Sequence, residues 1–133
     1  FHAWNSAQAS GEPLLIIADK SPSDWGIELP DLASRIASVP VLRIGEPDEA
    51  LARDLIEALF AQRGMIISPE IISYILPRME RTYEVVHKIV NALDEASLET
   101  GRRLGIRLTR ETLLSQGLIV PDLLERQDTL LCR

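Results

Sequence analysis

Cysteine and aromatic residues are scarce in this chain. It has one cysteine, Cys132, and aromatic residues make up 5% of its 133 positions. One cysteine excludes an internal disulfide and is typical of proteins in a reducing cytosol. No apolar run reaches the roughly 18 residues needed to span a bilayer, and no basic-then-apolar leader opens the sequence. We therefore expect a cytoplasmic protein with no membrane partner, and the initial Phe1 indicates a piece of a longer protein.

Positive charge is also in short supply. The net charge is −6 and the isoelectric point is about 4.9, which argues against strong direct binding of nucleic acid. A local cluster of arginines, Arg102, Arg103, Arg107 and Arg110, could contact DNA or an acidic partner. Basic residues at a helix end more often complement the helix dipole, and we prefer that interpretation.

The sequence lacks the usual motifs for binding a nucleotide and for binding a metal ion. The phosphate-binding pattern G-x-x-x-x-G-K-[ST] occurs nowhere in the sequence, and no acidic strand is present to hold magnesium. His2 and His87 have no further ligand at metal spacing, so no metal site is predicted. The segment alone is therefore not expected to bind a nucleotide or to be catalytic.

Residues 14–44 contain the most informative pattern that is present. An apolar run at 14–18 ends on Asp19, and a second apolar run follows at 39–44. Both runs read as buried strands, and polar residues just past such a strand lie where α/β folds bind ligands. Between them, Pro30 begins a short helix that carries Arg35. Residues 1–45 are therefore predicted to be an α/β unit.

The letters IIADKSPSDWGIELPDLASRI at residues 16–36 resemble the DnaA-type AAA+ ATPases, and most closely the Hda-like proteins that inactivate the bacterial replication initiator. The resemblance implies a partial P-loop NTPase core, the last strands of a parallel sheet, followed by a helical lid. It also implies that Asp19 is the sensor 1 residue and that Arg35 is the arginine finger presented to a neighbour's nucleotide. In this family the P-loop strand separates the two strands seen here, so we do not expect them to pair with each other.

Asp19 and Arg35 each have a simpler interpretation. Asp19 would merely turn the chain after a strand. Arg35 would be a surface arginine in a weak ion pair with Asp31, four residues earlier. The neighbouring letters PDLASR make us prefer the sensor and finger roles.

From Asp48 onward the sequence has helical periodicity, and 46–115 are predicted to be the lid, followed by a tail at 116–133. The core of the lid is expected to contain Leu55, Leu59, Ile75, Ile89 and Leu93. The first helix of the lid is expected to bury Leu51, Leu55, Leu59 and Phe60. Ser68 and Pro69 mark the start of a second helix. A longer helix is predicted over about 80–99, with Val86, Ile89, Val90 and Leu93 facing inward, and Thr109 is expected to cap a last short helix.

The lid is recognised by ALDEASLETGRRL at residues 92–104, and the family places a nucleotide-sensing arginine, sensor 2, earlier on that helix. Counting back reaches Glu84, which would repel phosphates, whereas Arg81 and Arg78 lie about one and two turns earlier. Either Arg81 substitutes, or sensor 2 is lost, or these arginines form a solvated face. The resemblance implies ADP or ATP with magnesium for the full-length protein, and none for this segment alone.

The resemblance implies a regulator of replication initiation that promotes hydrolysis of DnaA-bound ATP, with DnaA and the DNA polymerase sliding clamp as partners and a homodimer as a further option. Gln127–Leu131 loosely resemble the Q-x-x-L-[LF] peptides that bind the clamp, although so short a pattern arises easily by chance. Two alternatives remain open. One is a non-catalytic AAA+-like interaction module, and the other is a fragment of a DnaA-like DNA-binding initiator, which the acidic charge disfavours.

Overall fold

The computed structural model describes residues 1–122, and this part of the chain consists of helices joined by loops. The α-helices are α1 (His2–Ser10), α2 (Pro30–Ala37), α3 (Glu49–Gln62), α4 (Pro69–Ile75), α5 (Tyr83–Thr100) and α6 (Ile106–Ser115), with 3-10 helices at Pro22–Asp24 and Leu76–Arg78. The chain divides into two compact units, Phe1–Ile44 and a second unit that starts at Gly45. None of the described helices is both long and apolar enough to cross a membrane.

The predicted α/β core with its parallel sheet is wrong. Residues 1–122 contain no β-strand. Within them, a single antiparallel β-bridge joins Met79 to Ile119. The apolar runs at 14–18 and 39–44 are irregular and exposed, with Ile17 88% and Leu42 91% accessible. A strand is held by backbone hydrogen bonds to a neighbouring strand, and the described residues give neither run such a neighbour.

The first unit is organised by its short helices. The helix α1 ends at Gly11, whose φ of 70° is a left-handed conformation that glycine adopts without strain. Pro30 opens α2, with Asp31 in its first turn and Arg35 in its last. Among Phe1–Ile44, Ile36 is the one hydrophobic residue that is buried. This unit therefore has very little core of its own.

The second unit is built from α3 to α6 around one hydrophobic core. Asp48 caps α3 by accepting a hydrogen bond from the Leu51 N–H at 2.8 Å, and Thr82 caps α5 by accepting one from the Val85 N–H at 3.2 Å. The buried core residues are Ala52, Ile56, Phe60, Ile67, Ile71, Ile72, Ile75, Leu76, Met79, Val86, Ile89, Val90, Ala92, Leu93, Leu113 and Ile119. Burial of this many apolar side chains is the main force that holds the unit together.

The core of the second unit agrees with the sequence in α4 and α5 and differs in α3. Ile75 and the predicted inward residues of α5, Val86, Ile89, Val90 and Leu93, are all buried. In α3 the predicted burial of Phe60 is confirmed, but the rest of the buried face is Ala52 and Ile56, whereas Leu51 is 42% exposed and Leu55 and Leu59 are only partly buried. Both series repeat every four residues, so α3 has a wide apolar arc whose centre the periodicity alone does not locate.

Thr109 is not a helix cap. The helix α6 begins at Ile106 with Gly105 as its N-cap, so Thr109 lies inside the helix and is fully buried. The expectation came from the frequency of threonine at N-caps. Here Gly105, in an extended conformation, precedes the first turn, and the buried face of the helix is formed by Thr109 and Leu113.

Candidate functional site

The Arg35 guanidinium is held in place by two side chains of the first unit. Its Nε donates to Asp31 Oδ1 at 3.4 Å and its Nη1 donates to Asn5 Oδ1 at 3.5 Å, while Nη2 lies 3.1 Å from Asp31 Oδ2 in an ion pair. The side chain of Arg35 is still 40% exposed. This arrangement presents a cation, with a defined orientation, at the surface of the unit.

The contact with Asp31 is the one expected if Arg35 were an ordinary surface arginine. The pair spans one turn of α2, and the Asp31 side chain is 67% exposed, so solvent screens the interaction. An ion pair does not by itself exclude the finger role, because a guanidinium has five N–H donors and the hydrogen bonds to Asp31 and Asn5 use two of them.

Asp19 lies in an exposed bend after the apolar run at 14–18. The expected strand that would hold it at a sheet edge is absent from the described residues. The adjacent Lys20 carbonyl accepts a hydrogen bond from Trp25 Nε1 at 2.9 Å, which closes the loop that follows. Asp19 therefore sits at the start of a local turn.

The three sensor 2 candidates of the second unit have different environments. Arg78 is only 20% exposed and lies 4.2 Å above the Tyr74 ring, and its Nη2 contacts Asp122 Oδ2 at 2.7 Å. Arg78 thus fastens the 3-10 helix to the segment after α6. Arg81 is exposed and lies directly before Thr82, at the N-terminal end of α5, where the helix dipole favours anions.

Glu84 lies in the first turn of α5 and pairs with Lys88. The carboxylate Oε1 is 2.6 Å from the Lys88 ammonium, and both side chains are mostly exposed. The hydrogen bond from Lys88, reinforced by its positive charge, lowers the pKa of Glu84. Glu84 is therefore anionic at neutral pH and is unsuited to binding phosphate.

Replacing Lys88 by methionine is expected to raise the pKa of Glu84 toward its ordinary value. A carboxyl group with a lowered pKa in the folded state stabilises that state above its unfolded pKa, and this contribution is lost as the pH falls through the folded pKa. NMR titration of the Glu84 side chain measures the change directly. Lys88→Arg is the matched control, because it keeps the charge and should keep the pKa low. Equal midpoints in Lys88→Met and the wild type would contradict the assignment.

The LDEAS letters that mark the lid make structural contacts. Asp94 Oδ2 is 3.2 Å from Arg63 Nε, and both side chains are about three-quarters buried, at 25% and 28% exposure. Arg63 also donates to Asn91 Oδ1 and to the Leu59 carbonyl. Leu93, the residue before Asp94, is fully buried. The motif thus joins the C-terminal end of α3 to the middle of α5.

Removing the Asp94 carboxylate is expected to destabilise the second unit measurably. Asp94→Ala leaves the partly buried Arg63 guanidinium without its anionic partner, which should lower the free energy of unfolding by about 1–3 kcal/mol. Urea denaturation followed by circular dichroism provides the measurement. Glu95→Ala, at the next and exposed position of α5, should change little. Equal stabilities of the two variants would show that the pair is not structural.

Three further features of the sequence are the candidate metal ligands, the arginine cluster and the tail. In residues 1–122 no group of three or more His, Cys, Asp or Glu side chains could hold a metal ion. Within the arginine cluster, Arg107 pairs with Glu111 at 3.0 Å on α6. The clamp-like letters at 127–131, together with Cys132 and most of the predicted tail, lie outside the described residues.

Comparison with known proteins identifies the second unit. The family described as "Hda, lid domain" matches residues 49–113, which correspond to α3–α6 almost end to end. The second unit is thus a helical lid domain. Residues 49–113 belong to the Hda lid family, which confirms the resemblance to Hda-like proteins.

A curated relative extends the similarity beyond the lid. An uncharacterised protein of Haemophilus influenzae is 32% identical to this chain over 114 residues, which are 85% of this chain and 49% of that protein. This chain therefore spans about half the length of that relative.

Proposed function

We propose that this chain is part of an Hda-like regulator of replication initiation that acts on DnaA and promotes hydrolysis of DnaA-bound ATP. The observation that carries the proposal is the match of the Hda lid family to residues 49–113, which are the helices α3–α6. The relative from Haemophilus influenzae aligns over most of this chain, so the similarity also includes part of the first unit.

Arg35 is the side chain to which we assign the catalytic contribution. A guanidinium supplied in trans stabilises the charge that builds on a transferred phosphoryl group, an effect worth about 10³-fold or more. Two observations support the assignment: the Arg35 side chain is 40% exposed, and its guanidinium contacts Asp31 and Asn5. The nucleotide in this scheme belongs to DnaA and is the substrate.

A nucleotide of the protein's own, ADP or ATP with magnesium, is proposed only for the full-length protein. None is proposed for this segment alone, because the sequence has no phosphate-cradling glycine loop. Arg81 is the lid residue that we propose to contact the nucleotide. It is exposed, whereas Arg78 is occupied by Asp122 and Glu84 is anionic. Asp19 is a separate proposal, made from the sequence alone.

The sliding clamp and a second copy of the protein remain proposed partners, and the cytoplasm the proposed compartment. Gln127–Leu131 provide a candidate clamp peptide on the sequence alone. The net charge of −6 supports recruitment to DNA through the clamp rather than by strong direct contact.

The experiment that tests the proposal is a hydrolysis assay with the full-length protein. Radiolabelled ATP is bound to DnaA, and its conversion to ADP is followed with the regulator and DNA-loaded clamp present, and again with either one omitted. We expect rapid conversion only when both are present. If the regulator binds DnaA but leaves conversion at its basal rate, the protein is a non-catalytic interaction module instead.

A further inference from the structure

We propose that Asp31 is a positioning residue for Arg35, holding the guanidinium from one side so that its remaining N–H groups face a phosphoryl group. The inference rests on the proposed function of Arg35. It is carried by the placement of Asp31, Arg35 and Asn5, where residues of α1 and α2 meet at one guanidinium.

The contact between Asp31 and Arg35 is bidentate. One carboxylate oxygen lies 3.4 Å from Nε and the other lies 3.1 Å from Nη2, so both oxygens engage the same edge of the planar group. Paired contacts of this kind fix the orientation of an arginine as well as its position. Asn5 adds a third contact at 3.5 Å, to Nη1, from a residue 30 positions away in the sequence.

The contacts with Asp31 and Asn5 leave some N–H groups of the Arg35 guanidinium available. A guanidinium carries five N–H groups, one on Nε and two on each terminal nitrogen. Nε donates to Asp31, Nη2 forms an ion-pair contact with Asp31 and Nη1 donates to Asn5, so the terminal nitrogens retain N–H groups for a further acceptor. N–H donors of a guanidinium form strong charge-assisted hydrogen bonds with phosphoryl oxygens. Under the proposed function, the acceptor is the terminal phosphoryl group of DnaA-bound ATP.

A contribution to folding stability does not explain the ion pair between Asp31 and Arg35. Asp31 is 67% and Arg35 is 40% exposed, and ion pairs at such exposure contribute little to folding. A long arginine side chain loses considerable rotamer freedom when it binds a ligand. Fixing it beforehand removes part of that cost at the moment of reaction, and catalysis is sensitive to misplacement of a contributing group.

The test uses the full-length protein in the DnaA-bound ATP hydrolysis assay, with kcat and the half-saturating concentration measured separately. Asp31→Ala should lower kcat about tenfold through misplacement of Arg35 and shift half-saturation less than twofold. Asp31→Asn, which retains one acceptor oxygen, should lie between Asp31→Ala and the wild type, and Asp31→Glu should recover most of the rate. Asp24→Ala is the matched control, because it removes the same charge from an exposed position of the first unit.

The outcomes separate this inference from the function on which it rests. An unchanged or increased kcat in Asp31→Ala, with Arg35→Ala inactive in the same assay, overturns the positioning role and leaves the finger role standing. Full activity of Arg35→Ala overturns both. An equal loss in Asp24→Ala and Asp31→Ala would show that the effect is one of general charge, and would also overturn the positioning role.

Discussion

Replacing Arg35 by alanine is expected to abolish the stimulation of DnaA-bound ATP hydrolysis, a loss of about 10³-fold. The reason is electrostatic, because the guanidinium offsets charge that develops on the phosphoryl group in the transition state. The fold should be unaffected, since the Arg35 side chain is 40% exposed and its contacts are to exposed parts of Asp31 and Asn5. The measurement is the rate of ATP turnover with loaded clamp, at saturating regulator.

A second substitution and a control sharpen the Arg35 experiment. Arg35→Lys should rescue poorly, because an ammonium is a point charge and lacks the planar fork that contacts two phosphate oxygens at once. Arg43→Ala is the matched control: Arg43 lies in the same unit, in an exposed segment, and its Nη2 contacts the Ser21 hydroxyl at 3.3 Å. It should keep normal activity. Normal stimulation by Arg35→Ala would make Arg35 an ordinary surface arginine.

Helices and the burial of α5 were readable from the sequence because their signals are local. Pro30 acts through its own backbone angle, and Val86, Ile89, Val90 and Leu93 share one face by spacing alone. The sheet was not predictable in the same way. Whether an apolar run becomes a strand depends on a neighbour that is distant in sequence, and the runs at 14–18 and 39–44 find none in residues 1–122.

The environments of the candidate site residues depend on side-chain contacts that spacing does not specify. The pairing of Arg35 with Asp31 was anticipated because the residues are four apart on a helix. Arg78 was considered as a nucleotide sensor, but its partner Asp122 lies 44 residues away, and no local pattern announces it. The same holds for Arg63 and Asp94, which are 31 positions apart in the numbering and meet only because α3 packs on α5.

Truncating Leu93 to alanine is expected to lower the free energy of unfolding by about 2–5 kcal/mol. Leu93 is fully buried in the core cluster, on the face of α5 that also carries Ile89 and Val90. The substitution removes buried apolar contacts and leaves a cavity that the surrounding helices fill only in part. Urea denaturation of the 133-residue chain, followed by circular dichroism, measures the change.

Leu98→Ala is the matched control for the core prediction, because it makes the same chemical change in the same helix. Leu98 is 76% exposed, so its truncation should alter the free energy of unfolding by less than about 0.5 kcal/mol. The difference between the two variants isolates burial from helix propensity, since leucine and alanine are both good helix formers. If Leu93→Ala costs no more than Leu98→Ala, α5 buries a different face from the one described, and the packing of α3 and α6 against it is wrong as well.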